Sequence, residues 1–256
     1  MTVPVPNQPQ EDNVQDLSRH TAIITGASSG IGAGIARCFA ACGARLILAA
    51  RRADRLDALA EELSASGAQV LPRPTDVTIE EDVIGLFADA EAFSPVTLLV
   101  ANAGMAIHRP TVDVTLEQWR AVIDVNLTAA FLCGREALRV MQPRGRGRII
   151  NVGSLSAQMP RADTIAYTAS KFGLEGLTRA LALEGRPHGI TASIIHPGAT
   201  ISELIGERSL RASASPTTME ARHVAELVAT MAAVPDEINV LSTTILPIAQ
   251  PYLGRG

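Results

Sequence analysis

The strongest constraint on this fold is a set of short apolar runs that fail to alternate with polar residues. Thr21–Thr25, Leu46–Ala50, Thr97–Ala101, Arg148–Val152 and Thr191–Ile195 are strand-length and apolar almost throughout. A strand with one face in water alternates, so runs of this kind belong to strands covered on both faces, as in a parallel sheet. Between them lie segments with apolar residues at helical spacing: Gly30–Cys42, Ala53–Ala65, Ile79–Phe93, Thr115–Met141 and Thr164–Glu184. Gln69–Leu71 reads as a brief third strand, and a helix over Met219–Ala233 with an extended segment over Ile238–Leu246 completes the series. Strands alternating with helices of this length form right-handed βαβ units. The pattern therefore predicts a single α/β domain, a doubly wound parallel sheet of about seven strands flanked by helices.

Composition narrows the function. The chain has 256 residues, is 47% hydrophobic and 19% charged, and carries a net charge of −4, enough apolar surface for a large core and no basic footprint for nucleic acid. No apolar run approaches the roughly 20 residues that span a bilayer. Residues 1–18 are Pro-, Gln- and acid-rich without the apolar stretch of a signal peptide, and read as a loose tail ahead of a domain over residues 19–256. Three cysteines, two of them (Cys38 and Cys42) in one helix-like stretch, argue against a disulfide framework and point to a reducing cytoplasm. No metal site is expected.

The first strand runs into Thr25-Gly26-Ala27-Ser28-Ser29-Gly30-Ile31-Gly32, followed directly by a helix. Gly26 suits a tight turn, Gly30 a close backbone approach to a pyrophosphate, and Gly32 close packing of helix and strand. The helix N-terminus then offers N–H groups to phosphate. The second strand ends Ala49-Ala50-Arg51-Arg52, with no acid to accept from a ribose 2′-hydroxyl. Arg51 would instead pair with a 2′-phosphate, helped by Ser28, unless both arginines are simply solvated at a helix start. NADP(H) is the expected cofactor, with NAD(H) the alternative. Asp76, beside Val77, reads either as a partner for an adenine amino group or as a helix cap. Asn102-Ala103-Gly104 leaves the fourth strand at the sheet edge where ligands of such folds lie.

The 22 basic residues include one lysine, Lys171, and it follows one of the two tyrosines, Tyr167, by one helical turn. Together, Thr25–Gly32, Asn102–Gly104, Ser154, Tyr167-Thr168-Ala169-Ser170-Lys171 and Pro197-Gly198 resemble the short-chain dehydrogenase/reductase family in its compact, Rossmann-type, single-domain branch, from about Arg19 to Gln250. The resemblance implies a catalytic tetrad of Asn126, Ser154, Tyr167 and Lys171. Tyr167 would be the general acid/base, its phenolate favoured by the neighbouring ammonium and by an oxidised nicotinamide ring. Ser154 would hold the substrate oxygen, Lys171 would reach the nicotinamide ribose, and Asn126 would bind a water linking Lys171 to solvent. Read singly, Ser154 is equally a strand-end turn residue and Asn126 a mid-helix polar residue. Ser29, Ile31, Pro197, Gly198, Thr200 and Ser202 complete the implied cofactor contacts, and which of Thr200 and Ser202 meets the carboxamide stays open.

The chain departs from common family forms: Ala101-Asn102 replaces a doubled Asn, Gly153-Ser154 a doubled Ser, and Ser29 a frequent basic residue. Thr200–Thr218 is the implied pocket lid. The C-terminal stretch lacks an Asp-Gly-Gly ending and resembles members acting on small 3-hydroxy acids and other secondary alcohols. Arg161, Arg208 and Arg211 read either as carboxylate binders or as surface charges. His108 and His196 are candidates to flank the pocket, with packing the reading preferred for His196. A 3-oxoacyl-carrier-protein reductase and a non-catalytic dinucleotide sensor are the competing functions. The broad apolar faces of Leu116–Met141 and Ala166–Leu183, with the resemblance, imply a dimer or homotetramer.

Overall fold

The computed structural model describes residues 15–201 and 217–251. Seven strands form one parallel sheet: β1 (Thr21–Thr25), β2 (Arg45–Ala50), β3 (Val70–Pro74), β4 (Leu98–Ala101), β5 (Gly147–Val152), β6 (Ile190–Pro197) and β7 (Ser242–Ile245), in the order β3-β2-β1-β4-β5-β6-β7. The helices are α1 (Gly30–Ala41), α2 (Ala53–Ala65), α3 (Glu80–Phe93), α4 (Leu116–Ile123), α5 (Ala129–Met141), α6 (Ile165–Gly185) and α7 (Ala221–Ala233). Alternate residues of each central strand enter opposite cores. Ala22, Ile24, Leu46 and Leu48 pack with α1, α2 and α7, whereas Ile23, Ile47, Leu99 and Ile149 pack with α3, α5 and α6. Helices cover both faces of the sheet with apolar side chains, which is why the strands carry no polar face. The predicted doubly wound α/β architecture is the one observed.

Four boundaries differ for physical reasons. The third strand runs on through Pro72 and Pro74, which the sheet accommodates because β3 is an edge strand. At the opposite edge, β7 is shorter than the predicted Ile238–Leu246. There the Arg148 guanidinium holds the carbonyls of Val234, Pro235 and Ile238 outside the ladder. The long helix predicted over Thr115–Met141 opens with a capping box at Thr115 and Gln118 but is broken by a π turn at Asp124–Thr128. Finally, packing begins before Arg19: Leu17, read as part of the loose tail, is fully buried and its N–H donates to Cys42 O at 2.8 Å. Most of that tail and of the lid lies outside the described residues. No helix among the described residues is long and apolar enough to cross a membrane.

Candidate active site

Strand order reverses between β1 and β4, and a cleft of about 690 Å³ opens at their C-terminal ends. Thr25 joins the two strand exits. Its hydroxyl accepts from the N–H groups of Asn102 (3.0 Å) and Ala103 (3.1 Å), while Asn102 Nδ2 donates back to Thr25 O at 2.9 Å. Gly26 has φ +66°, and a Cβ on Gly32 would sit 2.3 Å from the Gly26 carbonyl oxygen. The glycine turn thus folds back on its own helix start, with Gly26, Ser28, Ser29, Gly30 and Ile31 bordering the cleft and Gly32 packed behind it.

The two arginines after β2 both border the cleft but divide their work. Arg52 reaches into the turn, donating to Ser28 Oγ at 2.9 Å and Ser29 Oγ at 2.8 Å. Arg51, singled out from the sequence, is exposed. Asp76 and Val77 line the cleft too, and Asp76 Oδ1 accepts from the Thr78 hydroxyl (2.7 Å) and N–H (3.0 Å) in a local turn; it does not cap α3, whose N-cap is Ile79 with no side-chain bond. The Thr78 hydrogen bonds hold its carboxyl below the usual range, with Arg51 adding a smaller effect.

Tyr167 and Lys171 project from one face of α6, and Gly104 faces them across the cleft mouth. Lys171 Nζ donates to Val152 O at 2.8 Å and lies 5.6 Å from the centre of the Tyr167 ring. Burial pushes the ammonium down to about 8. Burial also raises the Tyr167 phenol, opposed by a hydrogen bond with Ser154 and by the charge of Arg161. Burial is thus the largest influence on the phenol, ahead of the Ser154 bond and the Arg161 charge. Ser154 begins a short 3₁₀ turn, Leu155–Ala157, and its Oγ also accepts from Ser156 N at 3.1 Å.

Asn126 sits on the π turn, buried below the cleft floor. Its amide brackets Met105, accepting from Met105 N (2.8 Å) and donating to Met105 O (2.9 Å), and also donates to Ser170 Oγ at 3.0 Å. Ser170 in turn donates to Tyr167 O at 2.7 Å. The amide therefore fixes the loop after β4 against α6, and π turns recur at functional positions of this kind. Pro197 ends β6 and Gly198 and Thr200 follow it, none of the three lining the cleft, and Thr200 forms a bridge with Met219. Arg161 and His108 are exposed, while Ser202, Arg208 and Arg211 lie outside the described residues.

His196 is fully buried and bonded to both Ser154 O and Glu175. The sequence reading missed Thr25, Ser170 and Glu175. The signals were slight: Thr25 abuts the glycine turn, Ser170 falls between Tyr167 and Lys171, and Glu175 lies one turn past Lys171. Among the described residues no group of three His, Cys, Asp or Glu side chains is placed to hold a metal.

A family-wide profile described as short chain dehydrogenase matches residues 20–212. The chain is 36% identical over 245 residues to cis-4-hydroxycyclohexanecarboxylate dehydrogenase of Sinomonas cyclohexanicum, covering 92% of this chain and 97% of that one. It is 37% identical over 188 residues to D-beta-hydroxybutyrate dehydrogenase of Rhizobium meliloti, covering 72% and 73%. An alcohol dehydrogenase from Thermococcus sibiricus, solved with 5-hydroxy-NADP, superimposes with a TM-score of 0.85 at 27% identity over 91% of this chain and 98% of that one. With the profile matching most of the chain and a relative matched over nearly its whole length, this chain is a member of the short-chain dehydrogenase/reductase family.

Proposed function

We propose that the protein is an oxidoreductase that uses NADP(H) to interconvert a small secondary alcohol, of the hydroxy-acid type, and its ketone. The observation that carries this reading is the convergence of Ser154, Tyr167 and Lys171 beside a cleft that also holds the glycine turn. The residues fit a dinucleotide: Gly26 and Gly32 leave no room for a Cβ, Gly30 and Ile31 open α1 without a side-chain cap, and two arginines replace the acid that would favour a bare ribose. When bound, the nicotinamide supplies or accepts the hydride at the substrate carbon.

The chain's own groups handle the proton and the geometry. In reduction, Tyr167 Oη gives its proton to the carbonyl oxygen as the carbon gains hydride, and in oxidation it takes the alcohol proton. The Ser154 hydroxyl, already within bonding reach of the phenol, orients that oxygen. The Lys171 ammonium, which lines the cleft, would favour the phenolate and hold the ribose hydroxyls of a bound dinucleotide. Asn126 holds Met105 and the Tyr167 helix turn in place. Two hydroxy-acid dehydrogenases among the relatives support a small hydroxy-acid substrate, and Arg161, whose charge reaches Tyr167, is a candidate for its carboxylate. Exposed Leu116, Phe131, Phe172 and Leu183 on α4 to α6 support assembly as a dimer or tetramer, tested by light scattering against the 26.9 kDa monomer. Sparse cysteine usage supports a cytoplasmic location.

Parallel titration with NADPH and NADH, followed by turnover of a panel of hydroxy acids and β-keto thioesters, tests the reading. Tyr167→Phe abolishes turnover while retaining dinucleotide affinity. Wild-type turnover in that variant refutes the mechanism, a preference for NADH refutes the cofactor assignment, and a preference for pantetheine-linked ketones assigns the chain to 3-oxoacyl-carrier-protein reduction. Dinucleotide binding without turnover of any member of the panel favours a sensor.

A further inference from the structure

His196 occupies a position that the Tyr167 mechanism leaves without a task. The imidazole is completely buried at the end of β6, with Nδ1 3.0 Å from Ser154 O and Nε2 2.7 Å from Glu175 Oε2. Both neighbours are acceptors, so a ring that bonds both carries a proton on each nitrogen. Space for the ring comes from Gly153, where a Cβ would lie 2.7 Å from His196 Nδ1, so the glycine that departs from the family's common doubled serine is the one this histidine requires. Glu175 is anchored on its other oxygen by Arg179, at 2.8 Å. Burial alone would raise the Glu175 carboxyl, but the Arg179 and His196 bonds hold it below its ordinary value and keep it ionised.

The geometry matters because of where Glu175 stands. Tyr167, Lys171 and Glu175 follow one another at helical-turn intervals on α6. Lys171 grips the β5 exit directly at Val152 O, and Glu175 grips it two residues later, at Ser154 O, through His196. We propose that the Glu175–His196 pair is a positioning device for Ser154: it fastens the carbonyl of the serine to the helix that carries Tyr167 and so sets the separation of the two hydroxyls that share the substrate oxygen. This rests on the reading of Ser154 and Tyr167 given above. His196 touches neither substrate nor dinucleotide, and its effect is transmitted through the Ser154 backbone.

The test combines kinetics with a readout that needs no turnover. His196→Leu fills similar space without a donor, His196→Asn keeps a donor near Ser154 O, and Glu175→Gln keeps an acceptor without charge. With the best substrate from the panel, His196→Leu lowers kcat on the order of ten- to a hundredfold with KM and dinucleotide Kd little changed, as a small misplacement of a reacting group does. His196→Asn recovers most of that loss, and Glu175→Gln falls between. Equal kcat in His196→Leu and wild type, or a loss in all variants that tracks their melting temperatures without rescue by Asn, overturns the proposal. Independently, nitrogen NMR of ¹⁵N-histidine-labelled protein, with His196 assigned by its loss in His196→Asn, shows protons on both ring nitrogens at neutral pH. A bare nitrogen overturns the bridge whatever the turnover. If Tyr167→Phe retains full activity while both nitrogens are protonated, the bridge stands and the catalytic reading fails.

Discussion

The only lysine of the chain is held at a cost that can be measured. Lys171 is 4% exposed, its ammonium donates to the Val152 carbonyl, and burial brings it from 10.5 to about 8. At 1.36 kcal/mol for each tenfold change in proton affinity, that corresponds to about 3 kcal/mol against folding while the amine is charged. The folded value lies below the unfolded one, so the cost is complete below about pH 8 and disappears as the pH rises toward 10.5. Lys171→Met keeps the length of the side chain and removes the charge, giving up one hydrogen bond to Val152 O worth about 1 kcal/mol. The net gain at pH 7 is about 2 kcal/mol, or about 4–8 °C in melting temperature for a chain of this size. The variant is thus more stable and inactive, a trade seen where function strains a site. Thermal unfolding of dinucleotide-free wild type and Lys171→Met, followed by circular dichroism from pH 7 to pH 10.5, checks this. The gap narrows across that window and closes near its upper end. A variant that melts below wild type at pH 7, or a gap independent of pH, refutes the desolvation argument.

Three further outcomes are expected. Thr25→Val removes the acceptor of the Asn102 and Ala103 N–H groups and strands two half-buried donors, at a cost of about 1–2 kcal/mol; a melting temperature within a degree of wild type contradicts it. Gly32→Ala drives a methyl to 2.3 Å from Gly26 O, so the turn shifts and calorimetry records a loss of dinucleotide affinity of about tenfold or more, with about 1–3 kcal/mol of destabilisation; unchanged affinity shows that the turn yields freely. Arg52→Ala weakens NADPH by about tenfold and leaves NADH nearly unaffected, more so than Arg51→Ala, since Arg52 is the arginine directed at Ser28 and Ser29; equal weakening of both dinucleotides assigns Arg52 to supporting the turn alone.

Much of the fold was legible because it rests on local pattern. Thr21–Thr25 reads as a strand and is β1 residue for residue, and the helices were located to within a few residues by their apolar spacing. The errors fell where a distant partner overrules the local preference. Two prolines argue against a strand over Val70–Pro74 until the sheet order makes it an edge. Nothing in Leu116–Met141 announces a π turn at Asn126, because the groups that receive its amide, Met105 and Ser170, come from elsewhere in the chain.

By itself the sequence determined the βαβ alternation, the glycine turn at the mouth of the first unit, and the spacing of Tyr167 and Lys171 on one helical face. These are properties of neighbouring residues and need only the periods of strand and helix. Only the tertiary structure decided that Arg52 rather than Arg51 turns toward Ser28, that Thr25 joins two strand exits, and that His196 bridges Glu175 to Ser154. It also decided the burial that raises the Tyr167 phenol and lowers the Lys171 ammonium. Such outcomes depend on which groups closure of the sheet brings within hydrogen-bond distance and on how much water it removes, and neither quantity is carried by residue spacing along the chain.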